Sequence, residues 1–170
     1  MNRRAMLTCA IAFAAACSDS PTTPSSTSPT TFRANIAAPN ELPAITGPEA
    51  GATRTVTITL NATKDADGLV TGGTLDFSSS LNGFPAATTI TAAHIHAGNN
   101  TVSGAIIQDT GLTAQGGVTL ANGSGTITLR SVPVSGPVAN ALLANPAIYY
   151  FNVHSVLNPG GAARGQLIFP

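Results

Sequence analysis

All three histidines of the chain fall in two short motifs. His94 and His96 stand one residue apart in ITAAHIHAGNN, and His154 lies in IYYFNVHSV. Both stretches have the β-branched and aromatic composition of strands. Side chains two apart on a strand share a face, so both imidazoles of the first motif point one way and Ile95 the other. In the second motif Tyr150, Asn152 and His154 share one face, and Tyr149, Phe151 and Val153 the opposite one. If the two strands are neighbours, three imidazoles converge, and three neutral histidine nitrogens form a ligand set suited to zinc or copper. The same residues also admit a structural reading, with the rings hydrogen-bonded to backbone groups at a strand end. Spacing alone leaves both readings open.

Other chemistry has little support. Serines are abundant, but no G-x-S-x-G turn is present and no Ser–His–Asp arrangement is evident. Paired carboxylates at strand ends are lacking, as is a glycine loop opening a helix. No catalytic residue is therefore assigned, and the domain is expected not to be an enzyme. Charged residues make up only 8% of the chain, against about 25% in ordinary soluble proteins. Without Arg3 and Arg4 near the N-terminus, five basic residues stand against seven acidic ones. Nucleic-acid binding, which needs clustered Lys and Arg, is excluded. In so uncharged a chain Glu41 and Arg164 stand out, and a bidentate salt bridge between them is expected to close the fold.

The elements that must carry these residues are strands. Phe32, Ala34 and Ile36 alternate with Arg33 and Asn35, and Val56, Ile58 and Leu60 alternate with threonines in TRTVTITLN. Asp65-Ala66-Asp67-Gly68 reads as a turn. Further strands are expected over 75–81, 89–97, 104–110, 123–130, 147–156 and 164–169. Only VANALLA (138–144) has helical character, and Asn145-Pro146 closes it. The pattern predicts an all-β fold, an antiparallel Greek-key-like β-sandwich of about eight strands with one short helix.

The N-terminus describes an exported protein. Arg3 and Arg4 precede a twelve-residue apolar stretch, Ala5 to Ala16, too short to span a bilayer as a helix. Residues 1–16 thus read as a signal peptide. Ala14-Ala15-Ala16-Cys17 fits ordinary signal cleavage and also resembles a bacterial lipobox, which would make Cys17 the lipidated first residue of the mature chain. Residues 17–31, rich in Ser, Thr and Pro, form a spacer with no apolar anchor. The mature chain keeps one cysteine, so the domain folds without a disulfide.

The motifs Asn40-Glu41-Leu42-Pro43, Ala93-His94-Ile95-His96-Ala97-Gly98, Tyr150-Phe151-Asn152-Val153-His154, Pro159-Gly160-Gly161 and Arg164-Gly165-Gln166 occur in one order. This combination resembles the CHRD domain, a module found in chordin and in many bacterial exported proteins. The resemblance covers roughly Phe32 to Phe169 of a domain taken as residues 32–170, with Ser155 where the family commonly has Thr and Ala162 where an acidic residue often precedes Arg164. It implies Glu41, Asn152 and Arg164 as structural motif residues and an extracytoplasmic role. The histidine pattern is also similar to Cu/Zn superoxide dismutase, but three imidazoles cannot furnish two metal sites, so dismutation is not expected. The resulting reading is a lipid-anchored envelope or secreted protein, at the outer membrane in a Gram-negative cell. It serves as a non-enzymatic binding module for an unidentified protein or ligand. The alternative is a zinc- or copper-binding domain or metalloenzyme using His94, His96 and His154.

Overall fold

The alternating segments form ten antiparallel strands in a computed structural model that describes residues 25–26 and 28–170. In chain order they are β1 (Ser25–Ser26), β2 (Thr30–Ala37), β3 (Thr53–Lys64), β4 (Val70–Leu81), β5 (Thr88–Ala97), β6 (Ile106–Asp109), β7 (Val118–Leu120), β8 (Gly125–Ser135), β9 (Tyr149–Ser155) and β10 (Ala163–Ile168). The single α-helix among the described residues, α1 (Gly136–Ala144), is the one VANALLA announces, begun two residues earlier with a proline in its first turn. Cys17 and the signal segment lie outside the described residues.

The main path runs β6-β5-β9-β10-β2-β3-β4-β8. The last strand thus lies beside the first long one, and β9 is inserted between β5 and β10, which gives the non-sequential order of a Greek key. The sheet curls over one apolar core. Phe32, Ala34 and Ile36 of β2, Val56, Ile58 and Leu60 of β3, and Leu75 and Phe77 of β4 meet Ile90, Ala93 and Ile95 of β5 and Phe151 and Val153 of β9. The rings of Phe77 and Phe151 lie 5.7 Å apart. The two edges of the path approach each other, and the Gln108 side chain of β6 donates to the Pro133 carbonyl of β8 at 3.2 Å. The result is an all-β sandwich close to a closed barrel.

The expected spacer does not stay free to its end. Thr30 and Thr31 already pair with Leu60 and Thr59, and Ser25–Ser26 pair with Lys64 and Thr63. Threonine and serine lack apolar mass but have good or tolerable strand geometry, and β3 is long enough to offer a free edge there. The turn at Asp65 forms as read, with its carboxylate accepting from the Asp67 and Leu69 amides. The three-residue β7, beside β5, is an element that composition did not announce.

Candidate functional site

The chemistry lies on the outer face of β5, β9 and β10. Antiparallel register sets His94 opposite Asn152, His96 opposite Tyr150 and Ala92 opposite His154. On the far side of β9, Arg164 stands opposite Asn152. β9 buries residues on both faces: Phe151 and Val153 enter the apolar core, while Tyr150, Asn152 and His154 are buried beneath loops. The register therefore unites the two histidine motifs and supplies the strand neighbourhood that the spacing alone left open.

One ligand atom from each of His94, His96 and His154 lies within 4.8 Å of the others. The closest pair, His94 Nδ1 and His154 Nε2, is 3.0 Å apart. Two nitrogens on one tetrahedral ion, each bonded at 2.0–2.1 Å, stand about 3.3 Å apart. Tautomers follow from the partners. A carbonyl only accepts, so His96 Nδ1 donates to Gly104 O at 3.0 Å and His154 Nδ1 donates to Pro159 O at 3.0 Å. In the neutral rings both Nε2 atoms then carry lone pairs. His154 Nε2 receives the His94 Nδ1 proton, whereas His96 Nε2 is buried with no partner. An ion among the rings would take both Nε2 lone pairs and His94 Nδ1. His94 would then carry its proton on Nε2, which lies 3.9 Å from Asp109 Oδ1. His96 and His154 would each have a carbonyl acceptor behind them, the usual support of a metal-bound imidazole, whereas Asp109 stands beyond hydrogen-bond distance of His94. Metal binding would leave the two backbone-held Nδ1 atoms of His96 and His154 in place, but it would replace the His94–His154 hydrogen bond, whose two nitrogens are both ligands.

Electrostatics suit ligation. Burial holds all three rings below the usual histidine range. Neighbouring imidazoles lower His94 and His96 further, Arg164 also lowers His96, and Asp109 partly opposes the shift at His94. At neutral pH the rings are uncharged, as metal binding requires. His94 is the most open, with its side chain 13% exposed. The His96 ring stacks on Tyr150 at 4.9 Å and 7°, and the Tyr150 hydroxyl accepts from the Gly104 amide at 3.3 Å. Gly104 approaches the Ala97 carbonyl so closely that a Cβ there would collide with it. A side chain at 104 would push away the carbonyl that fixes His96.

Glu41 and Arg164 do not form the expected salt bridge. Arg164, 1% exposed, instead donates to the carbonyls of Asn40 (2.7 Å), Val102 (3.3 Å) and Asn100 (3.4 Å) and to Ser103 Oγ (3.2 Å), and lies 4.5 Å over the Tyr150 ring. Its planar fork thus ties the first loop and the 98–105 loop to β10, because carbonyls closing over a strand face need donors. Glu41 lies instead beside Gly161 and Asn152. A Cβ on Gly161 would come within 2.8 Å of Glu41 Oε2 and 2.7 Å of Asn152 Nδ2. Glu41 Oε1 and Asn152 Oδ1 are both buried without a partner. Desolvation raises the Glu41 pKa from 4.5 to about 7, although Arg164 pulls it down. A proton there converts one orphan acceptor into a donor.

Sequence reasoning missed Glu49. It is 1% exposed, and its Oε2 accepts from Ser155 Oγ at 2.7 Å and Asn158 Nδ2 at 2.6 Å. The available signal was the second of only two glutamates in a sparsely charged chain, but its partners lie more than a hundred residues away.

No curated protein and no solved structure matches the chain. The family model of the CHRD domain matches residues 32–167, from the first core phenylalanine of β2 to Leu167 of β10, and so takes in every histidine, Glu41, Asn152 and Arg164. The chain belongs to the CHRD domain family.

Proposed function

We propose that this chain is an extracytoplasmic binding module whose ligand is a transition metal ion, zinc or copper, held by His94, His96 and His154. The observation that carries the reading is the buried, partnerless His96 Nε2, whose tautomer is fixed by Gly104 and which belongs to the same cluster as two further imidazole nitrogens. A buried acceptor without a donor costs about 1–3 kcal/mol, which an ion recovers. Membership of the CHRD family supports an extracellular setting. Among the described residues no helix is long and apolar enough to cross a membrane. The Ala-Ala-Ala-Cys boundary supports a lipid anchor at Cys17, and Cys17→Ser is expected to release the protein from the membrane fraction.

The test is elemental analysis of the purified full chain, with thermal unfolding of the metal-stripped protein before and after zinc or copper is added. At a hundredfold excess over Kd, ligation stabilises by about 2.7 kcal/mol, or a rise in Tm of roughly 8 °C. His96→Ala is expected to abolish the rise. A wild-type protein that carries no metal and shows no rise with either ion refutes the reading.

A further inference from the structure

Loop 155–161 supplies the carbonyl that fixes His154, and that loop is tied to a distant carboxyl. Ser155 Oγ and Asn158 Nδ2 both donate to Glu49 Oε2, at 2.7 and 2.6 Å. The same hydroxyl accepts from the Asn158 amide at 2.9 Å, and the Asn158 carbonyl accepts from the Ser155 and Gly161 amides at 3.3 and 3.1 Å. The turn is closed on itself and held to the first loop at one oxygen. The next residue is Pro159, whose carbonyl receives His154 Nδ1. Proline has no amide hydrogen, so the chain cannot be secured through a backbone donor at the residue that matters. The anchoring falls on Asn158 and Ser155, and through them on Glu49.

We propose that Glu49 is a positioning residue for the metal site, setting its affinity by holding the Pro159 carbonyl against His154. The proposal rests on the metal reading above. With the carbonyl in place, His154 carries its proton on Nδ1 and presents the Nε2 lone pair to the cluster. When the anchor is removed, the carbonyl drifts, the proton is free to settle on Nε2, and the ligand lone pair is lost. Loss of such outer partners typically weakens metal affinity 10–100-fold. A carboxylate suits this place because a charged acceptor holds two donors about twice as strongly as a neutral one.

The experiment titrates zinc into the full chain as wild type, Glu49→Gln, Glu49→Ala and Ser155→Ala. In parallel, the His154 tautomer is read from imidazole nitrogen shifts at pH 7.5. The expected order is graded: zinc Kd rises about 10–100-fold in Glu49→Ala and less in Glu49→Gln, each with loss of the Nδ1–H signature of His154. A residue that only stabilised the loop would lower Tm and leave both the tautomer and the Kd of the folded fraction unchanged. If Glu49→Ala does not fold, Glu49→Gln and Ser155→Ala carry the measurement. Wild-type zinc binding with unchanged Kd and tautomer in those variants overturns the role of Glu49 alone. A wild type that binds no metal overturns the metal reading and this proposal with it.

Discussion

The sheet buries side chains in two different ways. On β3, Val56, Ile58 and Leu60 are buried toward the core, while Thr55, Thr57 and Thr59 between them stay exposed or half-buried. On β9 there is no such outer surface: Phe151 and Val153 fill the apolar core, and Tyr150, Asn152 and His154 are buried on the opposite face. The first region is held by apolar burial, which is non-directional and tolerates exchange of shape at conserved volume. The second is held by oriented partners, with Arg164 on three carbonyls, two histidines on one carbonyl each, and Glu49 on a serine and an asparagine. It also holds all three buried side-chain atoms lacking a hydrogen-bond partner among the described residues, on Glu41, His96 and Asn152. Among the described residues, unfilled polar valence is confined to the polar region, one atom in the histidine cluster and two beside Gly161.

Breaking the apolar region has the largest expected effect. Ile58 is fully buried, and Ile58→Asp would place an unpaired carboxyl in the core. The cost is several kcal/mol, enough to unfold a domain of ordinary stability. Circular dichroism is expected to show no cooperative transition at 25 °C and above, and a Tm near that of wild type would mean that the apolar face is not what holds the sheet.

The polar region breaks more gently. Arg164→Met keeps the apolar stem and removes the guanidinium, leaving the carbonyls of Asn40, Asn100 and Val102 without this donor. Some of them reach water once the loops loosen, so the expected loss is about 3 kcal/mol, smaller than at Ile58. Urea unfolding measures it. Equal losses at Ile58 and Arg164 would erase the distinction between the two regions.

The two regions were also unequally legible in the sequence. Alternation of apolar and small polar residues revealed β2 and β3 with their inner faces, and part of β4 as a strand, because burial on one side leaves a period of two. It also set His94 with His96, and Tyr150 with Asn152 and His154, on common faces. What alternation does not encode is which strands become neighbours. The β5–β9 pairing that unites the histidines joins residues some sixty positions apart, and β7 is too short to show a period. Nor does it encode carbonyl acceptors, since every residue has one. The partners of Arg164 are of this kind, whereas side-chain charge alone points to a carboxylate such as Glu41. Glu49 was invisible for the complementary reason, because its partners, Ser155 and Asn158, are ordinary residue types in a turn.

The smallest expected effect separates the regions by pH, since only the polar one contains titratable groups that are buried. The Glu41 pKa is about 7 in the folded chain against 4.5 for the free side chain. Between those values the native state holds a proton that the unfolded state has released. The stabilisation is therefore complete below about pH 4.5 and is lost as pH rises through 7. The histidines act in the opposite sense: their folded pKa values lie below 6.5, so their contribution is present above that value and is lost as pH falls. Metal-free stability is thus expected to crest in mildly acidic to neutral solution and to decline on both sides. Glu41→Gln removes the alkaline limb alone, because the amide never ionises and always offers donors beside Asn152. Between pH 5.5 and 8.5 the wild-type chain is expected to lose about 2 kcal/mol through this group, and Glu41→Gln none of it. Chelator-treated protein unfolded in urea across that range gives the comparison. Parallel profiles for the two chains would show that Glu41 ionises like a solvated carboxyl, and that the orphan oxygens of Glu41 and Asn152 find their donors elsewhere.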